Sequence, residues 1–151
     1  MPRSGILQAW WGLSQAHHHI SDHMDRALTK THGLSISWFE VLEVLARQSE
    51  PIRVSDLSQQ VTLSPSRTCR VLHALEERGV VTRTSSPTDA RSTEVLLTDK
   101  GGELHAQALA AVQDALAQTV LSRLSAEEIA GMAALRGLIG PAGAAPAATA
   151  V

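Results

Sequence analysis

The amino-acid sequence predicts a mainly α-helical fold with one small β-hairpin, in a single domain over residues 1–151. Apolar residues recur at spacings of three and four over long stretches, which is the periodicity of amphipathic helices. Aromatic residues make up only 3% of the chain, and much of its 44% apolar content is Ala, Leu and Val, which favours helix. Two short β-rich runs, 80–83 and 95–97, flank a run of turn-forming residues and indicate the hairpin.

The first predicted helix covers residues 5–32 and ends at Gly33. One side of it carries a stripe with alternating spacings of four and three, as in a heptad repeat. A stripe this regular predicts packing against long helices elsewhere. Its members are Ile6, Trp10, Leu13, His17, Ile20, Met24 and Ala27.

Three shorter helices follow. Residues 37–48 and 54–61 have helical apolar spacing, with Pro51 between them. The next helix has Ser64 as a good N-cap, Pro65 at its first position and Gly79 after its end. Short helices joined by a tight turn form a helix-turn-helix unit.

The helix that begins at Pro65 has two distinct sides. Thr68, Leu72 and Leu75 recur at helical spacing and are expected to face inward. The opposite side is short, polar and basic near its N-terminal end, as a helix that enters a DNA major groove requires. The residues on this outer side are Ser66, Arg67, Cys69, Arg70 and His73.

Helix, glycine, strand, polar tip and strand in this order make a winged helix-turn-helix over residues 37–98. Four motifs in and around it are Leu63-Ser64, Glu76-x-x-Gly79, Pro87-x-Asp89-x-Arg91 and Leu97-Thr98-x-x-Gly101. Together they resemble the MarR family of bacterial transcription regulators, over about residues 38–138. The Asp89-x-Arg91 wing signature is the most specific part of this resemblance.

Two further helices are predicted after the wing. Thr98 caps the first, over about residues 99–122, and Ser125 with Glu128 forms a capping box before the second. The terminal helices, 5–32 and 99–140, carry more apolar surface than a small winged helix can cover, so we expect them to form a homodimer. The resemblance implies the same arrangement. Residues 141–151 are small and are expected to form a flexible tail.

Charge is distributed unevenly along the chain. Its net charge is −2, but residues 64–91 contain five arginines and three acidic residues, a local charge of +2. DNA affinity depends on such a local patch, because it arises from counterion release at phosphates. This distribution is compatible with binding to double-stranded DNA, as an inverted repeat in a two-fold dimer.

The candidate DNA contacts divide by chemistry. Arg67 and Arg70 can bind guanine edges or phosphates, and Ser64 and Ser66 can contact phosphates near a helix N-terminus. The resemblance implies that Arg91 is a wing arginine, suited to the minor groove of A·T-rich DNA, with Asp89 orienting an arginine. The full predicted set is Ser64, Ser66, Arg67, Cys69, Arg70, His73, Arg83, Asp89 and Arg91.

Two other classes of function are alternatives to DNA binding. An enzyme would use Cys69 or Ser66 as nucleophile with His73 as base, since four residues separate Cys69 from His73 on a helix. The sequence offers no third orienting residue, no glycine-rich phosphate loop and no oxyanion hole, so we predict no catalytic activity and no cofactor. A protein-interaction module built on the terminal helices is the other alternative, and it would not shift duplex DNA in a gel.

The resemblance implies regulation by small aromatic ligands that bind between the dimerisation helices and the winged helix. Our candidates for this site are Trp11, His17, His18 and Trp38, and we expect a repressor that such a ligand releases from its operator. Two alternatives remain open. The first-helix histidines could sense a metal, although no specific metal site is predicted, and Cys69 could sense oxidants.

The sequence also bears on the compartment. A single cysteine cannot form an intramolecular disulfide, which fits a reducing environment. No apolar run approaches the roughly 20 residues of a membrane span, and residues 1–20 lack the pattern of a signal peptide. We therefore expect a cytoplasmic protein without membrane contact.

Overall fold

A computed structural model describes residues 3–86 and 91–139 of the chain. These residues confirm a mainly helical fold with a small antiparallel sheet. In chain order the elements are α1 (Arg3–His32), α2 (Ile36–Ala46), β1 (Ile52–Arg53), α3 (Val54–Gln60), α4 (Pro65–Glu77), β2 (Val81–Ser85), β3 (Thr93–Leu97), α5 (Asp99–Ala117), a 3₁₀ turn (Val120–Arg123) and α6 (Ala126–Ile139). The predicted tail, 141–151, lies outside the described residues.

The helix starts follow the predicted capping chemistry. The hydroxyls of Ser64 and Thr98 each accept a hydrogen bond from the backbone N–H three residues on, at 3.4 Å and 3.1 Å. Before α6, the Ser125 N–H donates to Glu128 Oε2 at 2.8 Å, and the Glu128 N–H donates to Ser125 Oγ at 3.2 Å. This is the reciprocal pair of a capping box, so local sequence alone sets these three boundaries.

Two glycines end helices in the left-handed conformation. Gly33 follows α1 with φ 61°, and Gly79 lies just beyond α4 with φ 67°. Side chains with a Cβ rarely adopt this conformation, which is why glycine is common just after a helix. Both predicted helix ends are confirmed.

The sheet has three strands in the order β1-β3-β2, all antiparallel. β2 and β3 pair along five residues, from Val81 opposite Leu97 to Ser85 opposite Thr93. They form the predicted hairpin. β1 pairs Ile52 with Val95 and was not predicted, because a two-residue strand has no measurable alternation.

The long helix after the wing is shorter than predicted. α5 ends at Ala117, not near residue 122. The Thr119 hydroxyl donates to Leu116 O at 2.7 Å and accepts from Leu121 N at 3.3 Å. A threonine that bonds neighbouring backbone groups competes with the helical pattern. The chain therefore passes into a 3₁₀ turn at this point.

The core lies where α1, α2, α4, α5 and the sheet meet. The inward side of α4 was predicted correctly, since Thr68, Leu72 and Leu75 are all fully buried. The other fully buried large side chains are Leu28, Leu34, Val41, Leu42, Leu45, Leu57, Val80 and Val95. This packing determines which side of α4 faces outward.

The two ends of the described chain leave apolar side chains exposed. Trp10, near the start of α1, is 55% exposed although it belongs to the predicted stripe. Among the side chains that the structure describes, the exposed large apolar ones are Ile6, Leu7, Trp10, Trp11, Leu13, Val120, Ile129, Met132 and Leu135. Among the described helices, none is both long and apolar enough to cross a membrane.

Candidate nucleic-acid interface

The outer side of α4 presents the polar side chains that its periodicity predicted. Ser66, Arg67, Cys69, Arg70 and His73 are all exposed, and Cys69 is a free thiol. Their exposure follows from the burial of the opposite side of the helix. The described structure therefore brings five of the predicted DNA contacts onto one surface.

Arg70 is the most available cation of this surface. Its side chain is exposed, and within the described part of the chain it makes no hydrogen bond or ion pair. His73, one turn later, lies 3.5 Å from Glu77 Oε1, and both of these side chains are largely exposed. An unpaired guanidinium keeps all five of its N–H donors for a ligand, which suits bidentate binding to a base edge or a phosphate.

Arg67 differs from Arg70 because it is held by another helix. Its Nη2 donates to Ser37 Oγ of α2 at 3.1 Å. Ser64, the N-cap, lies beside it, with its Oγ 3.3 Å from Ser66 Oγ. The start of α4 therefore carries two hydroxyls and one oriented guanidinium.

Arg83 on β2 is engaged within the protein. Its Nε donates to Glu76 Oε2 of α4 at 2.8 Å, and its Nη2 contacts the same oxygen. These hydrogen bonds hold the pKa of Glu76 below its ordinary value. Arg83 therefore links strand β2 to helix α4, and its contact with DNA stays a prediction.

The predicted wing tip belongs to the segment that joins β2 to β3, of which the structure describes residues 86, 91 and 92. Asp89 lies outside the described residues. Arg91 is exposed two residues before β3 begins.

The four predicted effector residues are not brought together within one chain. The guanidinium of Arg78 stacks 4.6 Å from the centre of the Trp38 ring and donates to Gly33 O, so Trp38 lies near the end of α1. Trp11 is 22 residues before Gly33, about 33 Å along the helix. His17 and His18 are exposed on α1 between these two positions.

A cleft that the sequence did not reveal runs between α1 and the end of α5. It encloses about 400 Å³, and its lining includes His19, His23, Arg26, Gln118 and Thr119. His19 and His23 are on the first helix, but neither His17 nor His18 lines this cleft. Within residues 3–86 and 91–139, no group of three or more His, Cys, Asp or Glu side chains is placed to hold a metal ion.

A partly buried polar pair links α2 to α5. His105 Nε2 lies 2.7 Å from Glu43 Oε2, with the His105 side chain only 13% exposed. Because a carboxylate only accepts, His105 is the donor. Arg47 donates to the other oxygen of Glu43, and Phe39 stacks on the His105 ring. Sequence analysis missed this cluster, because 62 residues separate the two partners.

Partial burial raises the pKa of Glu43, but the hydrogen bonds from His105 and Arg47 outweigh it, so the pKa lies below its ordinary value. A lowered pKa means that ionised Glu43 stabilises the fold at neutral pH. Glu43→Gln should therefore cost about 1 kcal/mol at pH 7, after allowance for solvent exposure. The difference from wild type should shrink as the pH falls below the ordinary glutamate range and through the lowered pKa.

Urea unfolding of both proteins between pH 7 and pH 3 measures this difference. The exposed Glu103 on α5, the helix that carries His105, supplies the control. Among the described residues it makes no hydrogen bond or ion pair, so Glu103→Gln should change stability little. A Glu43→Gln defect that stays constant down to pH 3 would contradict the assignment.

The fold and this surface define a winged helix-turn-helix protein of the DNA-binding type. A sequence model described as MarR family matches residues 32–92, which include α2 to α4 and the start of the wing. The transcriptional regulator MhqR of Bacillus subtilis is 34% identical over 89 residues, 59% of this chain. The match spans 60% of the length of MhqR.

Solved structures extend the likeness to nearly the whole chain. Sco3205, a MarR family transcriptional regulator from Streptomyces coelicolor solved in complex with DNA, superimposes with a TM-score of 0.80 at 26% identity. That comparison covers 93% of this chain and 94% of Sco3205. CouR from Rhodococcus jostii RHA1, bound to p-coumaroyl-CoA, gives a TM-score of 0.76 at 25% identity, covering 86% and 90% of the two chains.

A further relative from Bacillus subtilis, the HTH-type transcriptional regulator YwhA, is 30% identical over 105 residues, which are 70% of this chain and 73% of YwhA. The chain belongs to the MarR family, whose members are DNA-binding transcription regulators and not enzymes. The resemblance of its sequence motifs to this family is thereby confirmed.

Proposed function

We propose that this chain is a sequence-specific regulator of transcription that binds double-stranded DNA as a homodimer. The observation that carries the proposal is the exposed outer side of α4, where Arg70 stands unpaired among the described residues beside the hairpin. Sco3205, which shares the fold, was solved in complex with DNA, and this supports DNA binding by the present chain. Arg70 would read base edges, while Ser64, Ser66 and Arg67 would contact phosphates.

The homodimer is supported by the exposed apolar residues of α1, α6 and the 3₁₀ turn. Trp10, Ile129 and Met132 are large apolar side chains exposed to water, and several such side chains on one chain indicate surfaces that another subunit covers. A two-fold dimer with paired recognition helices binds an inverted repeat whose half-sites lie roughly 10 base pairs apart, centre to centre.

Selection of bound duplexes from a random pool, with sedimentation of the free protein, tests this function. We expect enrichment of one inverted repeat and a dimer at micromolar concentration. Failure to enrich any sequence, with equally weak binding to all duplexes, would contradict the proposed function. A stable monomer would contradict the dimer.

We further propose that the regulator is a repressor that a small aromatic ligand releases from its operator. The p-coumaroyl-CoA bound to CouR supports a ligand-responsive mechanism. Because Trp11 and Trp38 lie far apart in one chain, a site containing both would need side chains from two subunits. The candidates remain Trp11, His17, His18 and Trp38. Repeating the DNA assay with aromatic acids, zinc and peroxide separates this proposal from metal sensing by the histidines and redox sensing by Cys69.

A further inference from the structure

Two polar side chains in the first turns of α2 contact the recognition helix α4 and the segment that leads into it. Ser37 is only 8% exposed, and its Oγ accepts a hydrogen bond from Arg67 Nη2. Glu40, one turn later, accepts from the backbone N–H of Thr62 and, at 2.9 Å, from its hydroxyl. Thr62 lies in the segment between α3 and α4. α2 thus contacts both the segment that leads into α4 and the first arginine on it.

These two contacts have separate consequences. Glu40 and the Ser64 cap hold the beginning of α4 without any help from Ser37. The Ser37 hydroxyl is hydrogen-bonded to the end of the long Arg67 side chain, and Arg67 is exposed overall. Its effect is therefore on the direction of the Arg67 guanidinium and not on the placement of the helix.

The direction of the Arg67 guanidinium indicates which part of the DNA it would contact. The hydrogen bond to Ser37 directs this guanidinium towards α2 and away from the most exposed side of α4. In helix-turn-helix proteins the elements before the recognition helix cross the sugar–phosphate backbone, whereas the recognition helix lies in the major groove. The held guanidinium still has four free N–H donors, enough to bind a phosphate.

We propose that Ser37 is a positioning residue for DNA binding, which holds Arg67 in place to bind a backbone phosphate and leaves base reading to Arg70. An exposed arginine populates many rotamers, and ordering it at an interface is costly. The Ser37 hydroxyl reduces this cost because Arg67 is already oriented in the free protein. This inference rests on the proposed DNA-binding function.

A double-mutant cycle between Ser37→Ala and Arg67→Ala tests the proposal on the selected operator and on a random duplex. Ser37→Ala should weaken binding by about 2–10-fold on both duplexes, the range expected for ordering one side chain. Arg67→Ala should weaken both more strongly and lower the salt slope by about one. In the Arg67→Ala background, Ser37→Ala should have no further effect. Ser37→Thr keeps the hydroxyl and should retain wild-type affinity.

Two more variants isolate the contact from effects on folding. Arg67→Lys keeps the charge at an exposed position but loses the guanidinium geometry, so it should reproduce the Ser37→Ala defect. Ser21→Ala removes a less buried serine hydroxyl, which lies on α1 at 3.4 Å from His17 Nε2, and should leave DNA binding unchanged. Thermal unfolding should show Ser37→Ala close to wild type.

Three outcomes would overturn the inference. Unchanged affinity in Ser37→Ala would show that the hydroxyl does not matter. An equal loss with and without Arg67 would show that Ser37 acts through the fold. A loss confined to the operator would make Arg67 a base reader. If the wild-type protein binds no duplex at all, the proposed DNA-binding function is contradicted. The wild-type titration therefore tests the proposed function, and the comparison of the variants tests the role of Ser37.

Discussion

Gly101→Ala should destabilise the protein by about 3 kcal/mol, enough to lower the melting temperature by roughly 10 °C. A Cβ at position 101 would lie 2.1 Å from the carbonyl oxygen of Val80 and 3.0 Å from a methyl of Leu97. The first of these is a backbone atom at the start of the hairpin, so it cannot move aside as a flexible side chain would. Thermal and urea unfolding, followed by circular dichroism, measure the effect.

The adjacent glycine provides a matched control. Gly102 also lies in the first turns of α5, but a Cβ there would meet nothing within 4 Å. Gly102→Ala should leave stability unchanged or raise it by up to about 1 kcal/mol, since alanine is the better helix former. Equal effects of the two substitutions would show that helix propensity, and not the contact with Val80, determines the result.

Gly101 matters because two parts of the molecule meet there. The Val80 carbonyl that approaches it also accepts hydrogen bonds from the Thr98 N–H and hydroxyl, both at 3.1 Å. Thr98 in turn caps α5. The junction therefore ties the wing to a helix expected to lie in the dimer, and a change there should affect both.

Most of the fold could be predicted because its boundaries are encoded locally. The capping hydrogen bonds join residues that are at most four positions apart, so the sequence alone is sufficient to predict them. They involve Ser64, Gly79, Thr98 and Ser125. β1 could not be predicted, since its two residues are a strand only through pairing with β3. The end of helix α5 at Ala117 could not be predicted either, because the helical spacing of apolar residues continues past it to Val120.

The candidate site divides in the same way. Helical periodicity was sufficient to predict which residues of α4 are exposed, because the core determines the opposite side. The hydrogen-bond partners of the charged side chains could not be predicted from the sequence. Ser37 is 30 residues from Arg67, and Glu43 is 62 residues from His105, so only the packing of α2 on its neighbours brings them together.

Arg70→Ala should weaken binding to the selected operator by about 1–3 kcal/mol, which is about 5–150-fold, and relax the base preference at one position of each half-site. The reason is that Arg70 is exposed on the recognition helix and, in the described part of the chain, donates no hydrogen bond to the protein. Its five N–H groups are free for two parallel bonds to a guanine edge. Titration of the operator and of single-base variants measures the loss.

Arg70→Lys provides the charge-matched control for this prediction. Lysine keeps the attraction to phosphates but cannot form the same planar pair of hydrogen bonds. We therefore expect Arg70→Lys to lose affinity for the operator while binding random duplex as wild type does. If Arg70→Ala lost affinity equally on operator and random DNA, with a reduced salt slope, and Arg70→Lys bound both duplexes nearly as wild type does, Arg70 would be a phosphate contact. The division of roles between Arg67 and Arg70 would then have to be reversed or abandoned, because Arg70 and not Arg67 would supply the sequence-independent part of the affinity.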